Sequence, residues 1–432
     1  MHRGEEEVAQ QSTLSLPGAT PQQDHDDTGA FTALKPYWRV TIAAFLGWFM
    51  DAFDQVALLL CLPDIGHSLG AGLTAMGFVI TAQSIGRVIG NTSWGWLSDK
   101  HGRKITFMLG VMWFAAFSGL TAVTWTYAGM VAVQFLFGIG FGGEWTASAA
   151  LLMESVPARS RSLASAIMMA GYECGFLAAA AIQPFVLPHW GWRGLFVIGV
   201  LPAVLAVFIR RGVPESPVWL KTQETARQNT RPVSPPKLKL TGAAIQAFIF
   251  MAVLQFQNAA IYSFYPTVLR EVQKLSPGAI FPLIAAYCVG SLAGKPVCGL
   301  LAARIGERPV FVGYFLITLL DIWPFVSGQS DAILLPAALV MGLFGNAVFA
   351  LVPHYLSQRF PSSSRSFGMG CSYALAALGQ GIAGFFVPWL GSRYGLPVAI
   401  STSVIIGTLA VTAAVFYRPP TLPGAHMEGE EA

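Results

Sequence analysis

Gly95-Trp96-Leu97-Ser98-Asp99-Lys100-His101-Gly102-Arg103-Lys104 separates two long apolar segments, and its reading decides the fold. A second version stands 204 residues later, as Gly299-Leu300-Leu301-Ala302-Ala303-Arg304-Ile305-Gly306-Glu307-Arg308. The same offset pairs Gly138 with Gly342, Pro157 with Pro361, Arg161 with Arg365, Gly175 with Gly379 and Gly191 with Gly395. One spacing kept from residue 95 to residue 395 predicts two sequential copies of a large unit. In a membrane protein, two such halves point to a carrier with its site between them, near the bilayer midplane.

Composition requires the membrane. Of 432 residues, 54% are hydrophobic and 11% charged, whereas soluble domains carry about 25% charged residues. Apolar stretches long enough to cross a hydrocarbon core of about 30 Å recur twelve times, at 39–62, 74–97, 104–123, 126–152, 161–187, 192–210, 241–268, 278–303, 308–327, 331–356, 365–390 and 396–417. Backbone groups have no water partner in lipid, so each stretch is expected to be helical. Continuous apolar runs, rather than short alternating ones, exclude a β-barrel. The predicted fold is an all-α integral membrane protein of two six-helix bundles, 39–210 and 241–418. A polar, basic linker over 211–240 joins them, and the tails 1–38 and 419–432 are expected to be disordered. The acidic N-terminal stretch does not resemble a cleavable signal. The five cysteines fall in or at the ends of spans without metal-type spacing, so neither a metal nor a cofactor is expected.

Basic residues set the orientation, because cytoplasmic loops concentrate them. With the N-terminus inside, the tails and inner loops hold 20 of the 26 Lys and Arg, and the outer face holds Arg193, Arg270, Lys274 and Arg393. Both termini are therefore expected in the cytoplasm, with the chain in the cell (inner) membrane.

Charge within a span costs roughly 2.5–3.5 kcal/mol at the bilayer centre, so it marks a wet or paired site. At a rise of about 1.5 Å per residue, Asp51, Asp54, Arg87, Glu144 and Glu173 lie about 17–22 Å from the cytoplasmic ends of their spans. Asp51, Asp54, Glu144 and Glu173 are candidates for carrying a coupling proton. Arg87 is the candidate partner of a substrate carboxylate. The second half is nearly free of charge at this depth and offers Gln255, Asn258, Tyr262, Asn346, Tyr373 and Gln380 as hydrogen-bonding groups. Lys295 lies nearer the inner end of its span, where it either attracts an anion or snorkels to the interface. Under the repeat, Asp51 corresponds to Gln255 and Asp54 to Asn258, so polarity survives while charge is lost. Asp321 is placed near the outer end of a peripheral helix. Gly138-x-Gly140-x-Gly142-Gly143 sits inside an apolar helix and reads as a close-approach surface.

Gly95-x-x-x-Asp99-Lys100-x-Gly102-Arg103-Lys104 resembles the loop 2–3 signature of the major facilitator superfamily. The resemblance implies a latch between Asp99 and Arg103, with Gly95 and Gly102 shaping the turn, that stabilises an outward-open state. In the second copy Ala303 replaces the acid and Glu307 the base, so the latch is expected in the first half alone. Asp51-Ala52-Phe53-Asp54, Gly142-Gly143-Glu144-Trp145, Glu154-Ser155-Val156-Pro157-Ala158-Arg159, Gly191-Trp192-Arg193-Gly194 and Val213-Pro214-Glu215-Ser216-Pro217-Val218-Trp219 are similar to the metabolite:proton and sialate:proton symporter branch. That branch includes bacterial lactate and monocarboxylate permeases. The seventh span keeps Tyr265-Pro266-Thr267, but Ala259 and Tyr262-Ser263 replace the His and the Gln-Asp pair of the lactate type. By the family arrangement, spans 1, 2, 4 and 5 line a central cavity, and the five midplane charges are expected to face it.

Residues and resemblance together imply a monomeric, proton-coupled symporter, not an enzyme. Its partner would be a small organic anion, namely a monocarboxylate or a sialate-like or aromatic acid, and not a nucleic acid. Competing readings are a proton-driven exporter of drugs or metabolites, and a non-transporting sensor on a carrier fold.

Overall fold

The structure, a computed structural model, describes residues 30–157, 160–211, 215, 220, 224, 241–328, 330–360 and 365–417. These are helical with short turns between, and no strand occurs among them. The first half holds α1 (Trp38–Leu60), α2 (Leu73–His101), α3 (Arg103–Ala122) and α4 (Tyr127–Ser155), with a short helix Leu62–Leu69 after α1. A single 51-residue helix, Arg161–Arg211, follows; Gly191 breaks it with φ 64° and ψ −170°, into α5 (161–190) and α6 (192–211).

The second half begins with α7 (Gly242–Tyr262), which Tyr265–Thr267 and a π turn at Val268–Val272 extend. Then come α8 (Pro277–Ile305), α9 (Glu307–Ser327), α10, α11 (Arg365–Tyr394) and α12 (Leu396–Phe416). The predicted uniform span at 331–356 is a composite. α10 starts as Asp331–Val340, becomes a π helix over Met341–Asn346 and a 3-10 helix over Ala347–Leu351, and ends as Val352–Ser357. Such irregular turns re-aim side chains and recur at functional positions.

Ten helical stretches among the described residues are long and apolar enough to cross a bilayer, and Tyr127–Gly142 in α4 is a shorter apolar one. Ile167–Leu201 counts once in that set although Gly191 divides it, which brings the total to the twelve read from sequence. Their outward faces expose Phe185, Leu300, Leu320 and Trp323, as lipid-facing surfaces require.

The repeat is visible in the backbone. All six described residues with positive φ form three pairs at the 204-residue offset: Gly70 with Lys274, Gly102 with Gly306, and Gly191 with Gly395. A helix crossing repeats as well. A Cβ on Gly138 would stand 2.1 Å from the Gln83 carbonyl oxygen, and one on Gly342 would stand 2.0 Å from that of Tyr287. The α2–α4 crossing of the first half is thus the α8–α10 crossing of the second, and glycine permits the backbones to touch.

Within the halves, α1 packs on α5, α2 on α4 and α3 on α6, while α7 packs on α11 and α12 and α8 on α10. The halves meet chiefly where α2 lies on α11 and α5 on α8. Along α2 these contacts lie toward the end opposite the chain termini. A Cβ on Gly77 would stand 2.1 Å from the Gly384 carbonyl oxygen, and the Thr81 hydroxyl donates to the Gly381 carbonyl at 2.7 Å. Arg270 binds Asp64 at the same end.

Candidate functional site

Deeper along α2, past Thr81, the halves separate around a cavity. The centres of water molecules can occupy about 170 Å³ of it. A single water needs roughly 10–15 Å³ by that measure, so a small organic molecule has room. All eight residues proposed from sequence to meet substrate line this space: Arg87, Gln255, Asn258, Tyr262, Lys295, Asn346, Tyr373 and Gln380.

Arg87 projects from the middle of α2. Its guanidinium carbon lies 3.9 Å from the centroid of the Phe141 ring, and Nη1 donates to Gln380 Oε1 at 2.8 Å across the halves. No carboxylate among the described side chains lies within ion-pair distance of it. Among the described residues, Arg87 Nε and Gln380 Nε2 are buried donors without a hydrogen-bond partner. Two unused donors beside a cation form a place for an anion.

Glu173 and Lys295 form the second charged element. Lys295 Nζ on α8 contacts Glu173 Oε1 on α5. Ser291 Oγ donates to the same carboxylate oxygen at 3.1 Å, and Asn346 Nδ2 donates to Ser291 Oγ at 2.8 Å. Asn346 is the last residue of the π segment in α10, so the irregular turn delivers this amide to the chain of bonds. A third bridge joins the halves through Gln55, whose Nε2 donates to the Tyr262 hydroxyl at 3.1 Å. Tyr172 donates to Gln55 Oε1 at 3.4 Å.

The expectation that all midplane charges face the cavity needs correction. Asp51 and Asp54 are fully buried but do not line it. Asp54 turns to the α3–α6 side, beside Ser118 and against the bare backbone of Gly199. The glycine leaves the notch that the carboxyl fills. The side chain of Glu144 and those of Asp99 and Arg103 lie outside the described residues, as does any side-chain description at Gly95. Of the motif between α2 and α3 the structure gives the turn itself, with Gly102 at φ 102°. It also shows the Lys104 backbone N–H donating to both oxygens of Glu215 at 3.1 Å, which ties the start of the linker to the positive end of α3. Asp321 is partly buried on α9 and away from the cavity lining.

Sequence reading missed most of the walls: Trp48, Phe141, Tyr172, Phe176, Tyr287 and Phe349. Aromatic residues in an apolar span carry no signal of their own. Gln55 did carry one, as a buried amide next to Asp54. No group of three or more possible metal ligands occurs among the described residues.

Two matching contact sets around a central cavity in a repeated twelve-helix chain agree with the family model for the major facilitator superfamily, which matches residues 44–284 and 247–431. The chain belongs to the major facilitator superfamily. It is therefore a membrane transporter rather than an enzyme. Among curated relatives, the sialic acid transporter of Escherichia coli is 28% identical, the match covering 88% of this chain and 92% of that protein. The 4-hydroxybenzoate transporter of Pseudomonas aeruginosa is 27% identical, with 89% and 93% covered. Among solved structures, a D-xylose–proton symporter superposes with a TM-score of 0.72 at 17% identity, over 89% of this chain and 98% of that one. At that identity the likeness concerns the fold.

Proposed function

We propose that this superfamily member is a monomeric secondary transporter that takes up a small organic monocarboxylate, with H⁺ as coupling ion. One observation carries the reading: Arg87 stands in an aromatic cavity held by an amide and a ring, with donors on Arg87 and Gln380 that no described residue uses. A substrate carboxylate would complete those bonds in bidentate fashion. The aromatic walls suit a flat, apolar body, so one-ring acids fit better than polyhydroxylated ones. Relatives named for sialic acid and 4-hydroxybenzoate both handle carboxylic acids, which supports an acid over a cationic drug.

Asp51, Asp54 and Glu144 are the groups through which a proton would couple to the rocking of the halves; Glu173, the fourth candidate from sequence, is engaged by Lys295 instead. With 20 of 26 basic residues on the side of the termini, both termini are read as cytoplasmic. The contacts from Asp64–Arg270 to Thr81–Gly381 then close the outer end, and Asp99 and Arg103 would act when the cavity opens outward.

The test is uptake into proteoliposomes under an imposed pH gradient, with labelled 4-hydroxybenzoate, nicotinate and lactate. Accumulation that collapses with a protonophore and disappears in Arg87→Gln is expected. Asp54→Asn with Glu144→Gln should abolish proton-driven accumulation while leaving exchange. Acid accumulation that Arg87→Gln leaves intact, or transport of lipophilic cations alone, would overturn the reading.

A further inference from the structure

The described lining contains three charged side chains, Arg87, Lys295 and Glu173. Two cations and one carboxylate leave one net positive charge. The carboxylate is not distributed between the cations. Glu173 sits on Lys295, and the Asn346–Ser291 chain of hydrogen bonds fixes it there. Arg87, on the opposite half from Lys295, has an amide partner instead. We infer that Glu173 is a specificity-determining residue that limits the substrate to one negative charge: by occupying Lys295 it leaves Arg87 as the cation of the described lining that is open to an anion.

The physical basis is that charges in a desolvated cavity must be matched nearly one for one. An unmatched charge loses its hydration without recovering it in the site. A dianion would bring one carboxylate to Arg87 and press the other against a cavity whose second ammonium is already neutralised. A neutral amide would leave Arg87 unmatched. Lys295 is about a quarter exposed, with its side chain at 24%, whereas Glu173 is at 3%. Once released from Glu173, the ammonium is thus the member able to reach a second carboxylate.

The inference rests on the reading of Arg87 as the carboxylate site, and the experiment separates the two. Dissociation constants are measured by isothermal titration on the purified full chain, with 4-hydroxybenzoate, its neutral amide 4-hydroxybenzamide and the dicarboxylate terephthalate. Wild type should prefer the monocarboxylate. Glu173→Gln frees the ammonium while keeping the shape, so the preference for monocarboxylate over dicarboxylate should fall by about tenfold or more. Lys295→Gln leaves Glu173 uncompensated, and the preference for acid over amide should fall by a similar factor. The double variant Glu173→Gln/Lys295→Gln restores one net positive charge and should recover the wild-type order. Unchanged ratios in the single variants overturn the inference while Arg87 keeps its role. If Glu173→Gln does not fold, Lys295→Gln and the double variant decide by the same charge count. A wild-type chain that binds 4-hydroxybenzoate no better than the amide refutes the Arg87 reading itself, before any variant is made.

Discussion

Arg270 grips Asp64 with both terminal guanidinium nitrogens, at 2.5 and 2.6 Å, and so fastens one half of the molecule to the other. Arg270 stands in the π turn beyond α7, and Asp64 in the short helix after α1. The two side chains are 22% and 25% exposed. Burial pushes the Asp64 carboxyl above the usual aspartate range, and the Arg270 guanidinium opposes that shift without cancelling it. The pair is therefore held against a desolvation cost.

Removing one partner should open this end. Asp64→Asn leaves Arg270 partly buried and unmatched, which favours the state in which water reaches it. Spin labels on His67→Cys and Val272→Cys report the gap in electron–electron distance measurements. The expected outcome is a shift of population toward longer distances in Asp64→Asn, reversed when the charges are exchanged as Asp64→Arg/Arg270→Asp. A distance distribution identical to wild type would mean that the clasp does not hold this end closed.

Gly77 makes a second, uncharged claim on the same closure. Its missing side chain lets α2 touch Gly384 and Pro388 of α11 in the other half. Gly86, one crossing further along α2, meets Phe135 of α4 within its own half. Gly77→Ala should therefore shift the same label distances outward at little cost in thermal stability. Gly86→Ala should instead lower the unfolding midpoint, because an overpacked crossing inside a bundle costs about 1–3 kcal/mol. If both substitutions gave the same signature, the distinction between a moving and a fixed interface would be wrong.

Tyr262 tests the third bridge. Tyr262→Phe removes the acceptor of the Gln55 amide while keeping the ring. Loss of one such bond is worth about 0.5–1.5 kcal/mol, so substrate affinity should fall several-fold with expression unchanged. Gln55→Leu should have a like effect, and the pair should be less than additive. Full additivity would show that the two side chains act separately.

Much of this was legible because lipid forbids alternatives. A backbone without water must be helical, so twelve apolar runs became twelve spans, and one spacing of glycines became two copies of a bundle. The polar lining was legible too, since Arg87, Lys295 or Gln380 in hydrocarbon must face something wet. Three things escaped for a common reason: they depend on how helices rotate and dock. Asp51 and Asp54 are three residues apart and so share one helix face, but that spacing could not say that Gly199 would draw Asp54 toward α3 and α6. The basic-residue count registered Arg270 only as a charge of the outer face, because its partner is 206 residues away. The interruption of α10 at Met341–Asn346 lies in a run as apolar as its neighbours, with nothing to announce it.

Asp54 and Gly199 allow that rotation to be tested directly. A Cβ on Gly199 would stand 2.1 Å from Asp54 Oδ1 and 3.0 Å from its carboxyl carbon, closer than packed atoms come. Gly199→Ala must then displace the carboxyl or separate α1 from α6, at a cost of about 1–3 kcal/mol. Asp54→Ala removes the group that the new methyl would meet, so in that background Gly199→Ala should be close to neutral. Thermal unfolding midpoints of the four chains in detergent measure the coupling as a double-mutant cycle. A coupling near zero, with Gly199→Ala equally damaging in both backgrounds, would place the Asp54 side chain elsewhere and return it to the cavity as a candidate neighbour of Arg87.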